Sequence, residues 1–182
     1  MAKAKEHTFE EIVALYYEPL YRFGLSLTQR AAEASDLVQE TFFLWASKGH
    51  QLRDKTKVKS WLFTTLHREF LGSRRRQTRF PHFEVGMMEP SLPKIEPKLA
   101  NQIDGAALVE MIAEVDEVYR GPLTLFYLQE HSYQEIAEIL DIPIGTVMSR
   151  LSRGKAQLRQ RLRIAVKGKR GGDSRIVKLG AG

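Results

Sequence analysis

Four of the chain's seven prolines, Pro81, Pro90, Pro93 and Pro97, fall in one stretch, and that stretch limits what the whole chain can become. Proline lacks an N–H and fixes φ, so neither a helix interior nor a central strand accepts such a segment. From Pro81 to about Gln102 no hydrophobic period survives. An extended linker explains this better than a loop inside one domain, because loops beyond about 15 residues are uncommon there. The chain therefore divides into two blocks, 8–80 and 105–163, with a flexible linker over 81–104 and a basic, mobile tail over 164–182. Both blocks place apolar residues at helical spacing, and neither alternates as a strand does. The expected fold class is all-α, with two small helical domains joined by an extended linker.

In the first block, Thr8-Phe9-Glu10-Glu11 has capping-box spacing, and Phe9, Ile12, Val13 and Tyr16 follow at helical intervals. Pro19 marks a kink or the start of a new helix carrying Leu20, Phe23 and Leu27. A second helix, from about Glu33 to Lys48, turns Leu37, Val38, Thr41, Phe42 and Trp45 to one face, with Gly49 as its stop. A polar loop, Gly49 to Thr56, leads to a third helix with Val58, Trp61, Leu62, Leu66 and Phe70 in a stripe. That helix ends in Arg74-Arg75-Arg76. In the second block, Leu108, Met111, Ile112 and Val115 form one amphipathic helix, and Gly121-Pro122 breaks it and starts another. Ser132 to Glu135 repeats the capping box and opens a short helix, Tyr133 to Leu140. A turn, Asp141 to Gly145, then leads into a long basic helix from about Thr146 to Arg163.

Charge narrows the function. The net charge is +6, but its distribution says more. Residues 105–141 hold eight acids and a single base, Arg120, whereas residues 142–172 hold nine bases and no acid. Positive charge focused in this way is the footprint of a polyanion binder. A short helix, a tight turn and a longer basic helix make a helix-turn-helix. Ala137 is small enough for the two helices to cross closely, and Ile142, Val147 and Leu151 close the core between them. The opposite side presents Thr146, Ser149, Arg150 and Arg153, with Lys155 close by; such side chains suit base edges and phosphates.

The run Tyr133-Gln134-Glu135-Ile136-Ala137-Glu138-Ile139-Leu140, continued by Ile142 to Lys155, resembles region four of the extracytoplasmic-function sigma factors. Asp36-Leu37-Val38-Gln39-Glu40-Thr41-Phe42 resembles the region-two helix of the same family, and Ser60-Trp61-Leu62-Phe63 with the arginine cluster resembles the helix after it. The likeness covers residues 8–80 and 105–163. It implies a sigma factor that binds core RNA polymerase and directs promoter-specific initiation, with promoter DNA and an anti-sigma factor as further partners. Thr146, Ser149, Arg150, Arg153 and Lys155 would read the upstream, minus-thirty-five element. His50, Gln51, Arg53, Lys55, Trp61, Arg74, Arg75 and Arg76 would engage the downstream, minus-ten element, with the 49–56 loop holding a flipped base. Asp36, Gln39 and Glu40 share one helix face and would dock on the polymerase. Arg68 and Gly72 stand where the family often has asparagine and aspartate, so no single-base contact is carried onto them.

Other classes find less footing. The chain has no cysteine, which removes disulfides, thiolate nucleophiles and cysteine zinc sites. Its five histidines are scattered, and Gly154-Lys155 lacks the rest of a phosphate loop. No catalytic residue, cofactor or metal site is expected. No apolar run approaches the roughly 20 residues of a membrane span, so the chain reads as cytoplasmic with no membrane insertion. A stand-alone operator-binding repressor is the main competitor, but it would need a dimerisation or ligand surface in the first block. A module that only titrates another protein does not account for the basic helix.

Overall fold

The computed structural model describes residues 7–77 and 105–172. Seven α-helices make up most of them: α1 (Phe9–Thr28), α2 (Ala31–Lys48), α3 (Val58–Gln77), α4 (Gly105–Ala113), α5 (Glu117–Tyr127), α6 (Tyr133–Leu140) and α7 (Ile144–Gly172). Two single 3-10 turns, Gly49–Gln51 and Lys55–Lys57, join α2 to α3, and no strand occurs among the described residues. The fold is all-α, in two groups of helices, as the periodicity predicts. The linker expected over 81–104 and the end of the tail, 173–182, lie outside the described residues.

Local chemistry sets the helix starts. Both capping boxes form: Glu11 N–H donates to Thr8 Oγ1 at 3.2 Å while Thr8 N–H donates to Glu11 Oε2 at 3.0 Å. At α6, Glu135 N–H donates to Ser132 Oγ at 3.3 Å and Ser132 N–H to Glu135 Oε2 at 2.8 Å. Each pair satisfies two backbone donors that a helix start would otherwise leave open.

Pro19 starts no new helix, and Pro122 is not the expected break. Pro19 lies inside an unbroken α1, and Pro122 lies inside α5, while the break expected at Gly121-Pro122 comes earlier, between Ala113 and Glu117. A helical proline leaves the carbonyl four residues back without its donor. Those residues are Leu15 and Val118, 52% and 40% exposed, so water can take the missing place. Gly49 caps the end of α2, where a stop is expected. Its φ is −61°, so it does not stop α2 by a left-handed turn. It is needed because a Cβ there would lie 2.6 Å from the Trp45 ring. At the other end, α7 continues past Arg163 to Gly172, so the first part of the presumed tail is helical.

The first group packs around Leu20, Phe23, Leu62, Phe63 and Leu66, all fully buried. The second packs around Leu123, Leu125, Ile136, Ile139 and Leu151. There α7 crosses α5 at Gly154, where a Cβ would come within 2.9 Å of Leu123 and Tyr119. The two cores meet. Gly121 lies against α1, a Cβ there falling 3.2 Å from Leu27 and 3.8 Å from Phe23. The Phe63 and His131 rings pack edge to face at 5.0 Å, and Lys59 Nζ donates to the Gln129 carbonyl at 2.6 Å.

Candidate functional site

Four surfaces carry the residues named in the sequence analysis. On α2, Asp36, Gln39 and Glu40 are all exposed, at positions that share a helix face. Asp36 and Glu40 line a shallow groove of about 270 Å³ with Glu33 and Glu69, four carboxylates against the single guanidinium of Arg76. Phe43, one turn on from Gln39 and Glu40, stands 67% exposed in the same stripe. The polar pattern of the helix hides it in the sequence. What could have found it is register: Asp36, Gln39, Glu40 and Phe43 follow i, i+3, i+4, i+7.

Between α2 and α3 the chain makes a pocket of about 190 Å³ lined by His7, Phe9, Ile12, Trp45, Ala46, Gly49, His50, Lys55 and Val58. Of the four loop residues expected to meet DNA, His50 and Lys55 face this pocket, while Gln51 and Arg53 are exposed outside it. Asp54 fixes the turn: its carboxylate accepts from Thr56 Oγ1 at 2.6 Å and Thr56 N–H at 3.0 Å. Those two bonds hold its carboxyl below the ordinary value. Trp61 is half-buried, packed edge-on to Trp45 with ring centroids 5.2 Å apart, so it serves the core and the surface together.

The three consecutive arginines do not act as one cluster. At about 100° per residue, neighbours on a helix point in different directions. Arg74 turns to the second group and pairs with Glu117, its guanidinium 5.6 Å above the Phe70 ring. Arg76 turns to the acidic groove on α2. Only Arg75 points outward on the side of Trp61, and Arg68 lies between them at the same seven-residue step, also exposed. The outer stripe of α3 is therefore Trp61, Arg68 and Arg75. Arg68, left aside in the sequence as a departure, belongs to it.

The helix-turn-helix is α6 and α7. Asp141 closes α6 in the left-handed conformation, φ 54°, and Ile142 N–H returns to the Ala137 carbonyl at 3.1 Å. Val147, Leu151 and Leu158 point inward. Arg153 is fully presented, whereas Thr146 and Ser149 are half-buried and Ser149 Oγ donates to the Thr146 carbonyl at 3.0 Å. Arg150 is half-buried too, and burial pulls its guanidinium below the ordinary value, partly opposed by the Tyr119 hydroxyl. Lys155 is a correction: it is 5% exposed, because it follows Leu151 by four residues and precedes Leu158 by three, on the inner side of α7.

Known proteins fit this architecture. The family model "Sigma-70 region 2" matches residues 12–80 and "Sigma-70, region 4" matches residues 105–158. The chain is 31% identical over 153 residues to the ECF RNA polymerase sigma factor SigM of Bacillus subtilis, covering 84% of this chain and 93% of the relative. The chain belongs to the ECF sigma factors. SigL of Mycobacterium tuberculosis is 31% identical over 147 residues, covering 76% of this sigma factor and 81% of its own length. Among solved structures, the sigma factor RpoE of Bartonella quintana, in complex with the anti-sigma factor NepR, superposes with a TM-score of 0.64 at 24% identity. That match covers 86% of this chain and 97% of the other. CnrH, in complex with the cytosolic domain of CnrY, gives 0.57 at 17% identity, over 86% and 88%. Sigma factors of this family bind core RNA polymerase and direct promoter-specific initiation, and this chain is such an initiation factor. No helix among its described residues is long and apolar enough to cross a membrane.

Proposed function

We propose that this sigma factor docks on core polymerase through the outer face of α2, with Phe43 as the apolar centre of an acidic and amide rim. The observation that carries the assignment is the exposure of Phe43, 67%, amid Asp36, Gln39 and Glu40 on one helix face. Interfaces concentrate binding energy in such aromatic anchors ringed by polar groups. On the promoter side, Arg153 reads the upstream element, joined by the half-buried Thr146, Ser149 and Arg150. The outer stripe Trp61, Arg68 and Arg75 follows the downstream strands, and the Phe9–Trp45 pocket with His50 and Lys55 takes an unstacked base. Bond-making chemistry belongs to the polymerase, and the chain acts in the cytoplasm. The superposing sigma factor RpoE is in complex with the anti-sigma factor NepR, which supports a partner of that class here.

The test is capture of the chain on purified core polymerase. Phe43→Ala should weaken capture by about 2 kcal/mol or more, some thirtyfold, as expected of an interface anchor. Reversing charge with D36K and E40K should weaken it independently. Because all three side chains are exposed, thermal melting should be unchanged. Folded variants captured as well as the parent would remove this face from the interface.

A further inference from the structure

The second helix of the helix-turn-helix, α7, is longer than base reading requires. The region 4 match ends at residue 158, whereas α7 continues unbroken to Gly172. At 1.5 Å per residue the continuation adds about 20 Å of helix. Its composition is one-sided: Arg159, Arg161, Arg163, Lys167, Lys169 and Arg170 fall in residues 159–172, with no acid among them. The helix dipole favours cations in the last turn, which accounts for Lys169 and Arg170 and not for the others. Arg159, Arg163 and Lys167 are like charges spaced four apart, which destabilises a helix standing alone. A polyanion alongside reverses that cost.

Two contacts aim the continuation. Gln157 Nε2 donates to the Asp116 carboxylate at 2.6 Å, and Asp116 N–H donates to Gln157 Oε1 at 3.1 Å. One turn on, Arg161 donates to the Glu114 carboxylate at 2.6 Å. These bonds fasten one side of α7 to the corner between α4 and α5 and occupy two of its acids. Another side is left open, where Arg153, Ala156, Arg159 and Gln160 are all exposed. From Arg153, the positions of Ala156, Gln160, Arg163, Lys167 and Arg170 follow at steps of three and four, which keeps positions on one side of a helix. The stripe that begins at the arginine assigned to the upstream element thus runs on into the cations of the continuation. Lys167 is about 20 Å along the axis from Arg153, more than the roughly 12 Å width of the major groove. A helix seated in the groove at Arg153 therefore crosses the neighbouring backbone, which carries one charge per roughly 1.7 Å of duplex.

We propose that α7 beyond residue 158 is a phosphate-gripping arm: with Arg153 in the major groove of the upstream element, Arg163, Lys167 and Arg170 hold backbone phosphates of the flanking duplex. The proposal rests on the reading of the helix-turn-helix as the part that meets the upstream element. Phosphate contacts position a protein and carry no sequence information. The arm therefore adds affinity and salt dependence on any duplex, and it leaves the choice among promoters to the Thr146–Arg153 segment.

The test is titration of the full chain, over a range of salt, against an upstream-element duplex with a full turn of flank on each side and against a scrambled duplex of equal length. Each phosphate contact contributes about 0.9 to the slope of log K against log salt. Combining Arg163→Gln, Lys167→Gln and Arg170→Gln should lower that slope by about 2 to 3 on both duplexes, with the preference between them unchanged. Trimming the flanks to the edges of the element should erase the difference between parent and variant. Glutamine keeps the helix propensity, so thermal melting and capture on core polymerase should match the parent. An unchanged slope overturns the arm. Loss of capture with the slope intact assigns these cations to the polymerase and overturns it too. Arg153→Ala on the same duplexes tests the underlying reading, and it should remove the preference for the upstream element while keeping the arm's share of the slope. A parent chain without that preference contradicts the reading, and the slope on the scrambled duplex still decides the arm.

Discussion

At the scale of single residues, two glycines that look alike in sequence have opposite roles. A Cβ at Gly49 would lie 2.6–2.8 Å from three atoms of the rigid Trp45 ring, whereas nothing lies within 4 Å of one at Gly145. Gly49→Ala should therefore cost about 1–3 kcal/mol through overpacking, while Gly145→Ala in the first turn of α7 should be neutral or stabilising by up to about 1 kcal/mol. Urea titration of the two variants checks both signs. The buried histidines set a pH dependence. Burial is the main force that lowers both His67 and His131 from 6.5 to about 4. For His67 the Arg150 charge adds to this against Asp141; for His131 the Lys59 charge adds to it against Glu135. Above pH 6.5 the rings are neutral in folded and unfolded chains alike, so stability is complete. As pH falls from 6.5 to about 4, the unfolded rings take protons that the buried ones refuse. About 3 kcal/mol per histidine is lost. His131→Leu should remove roughly half of that decline. A chain whose unfolding free energy stays level from pH 7 to 5 would contradict this burial.

At the scale of elements, much was legible because local rules are strong. The two capping boxes, the inward stripe of α2 and the helix-turn-helix follow from spacing alone, and they form as spaced. The errors come from what spacing leaves out. Spacing reads Pro19 as a kink or a new helix start and Pro122 as a break, because a proline's cost depends on whether the freed carbonyl meets water, which only the packed structure decides. Proximity in sequence groups the three arginines and puts Lys155 on the DNA face, whereas helical twist sends Arg74 to Glu117, Arg76 to the acidic groove, Arg75 outward and Lys155 to the interior. That correction is testable. Arg153→Ala should lower binding to an upstream-element duplex about ten- to a hundredfold, the range of a specific arginine contact. Lys155→Met should show instead as a shift in melting temperature, with upstream binding close to the parent. Equal loss of binding in the two variants would return Lys155 to the DNA face.

At the scale of the whole molecule, the sequence divides the chain at its prolines and gives no sign that the halves would pack together. The contacts that join them pair residues 43 or more positions apart, as in Arg74 with Glu117 and Lys59 with Gln129, and no periodic pattern reaches that far. The outward faces of α2 and α3, the loop pocket and the exposed end of the helix-turn-helix are the surfaces proposed to meet polymerase and promoter. The central claim, that this chain gives core polymerase its promoter, is tested most directly by run-off transcription with purified core polymerase on a library of promoter templates. Addition of the full chain should produce discrete transcripts from a subset of templates sharing an upstream and a downstream element, with none from core alone. An unchanged transcript pattern, from a chain shown to be folded and bound to core, would contradict the account.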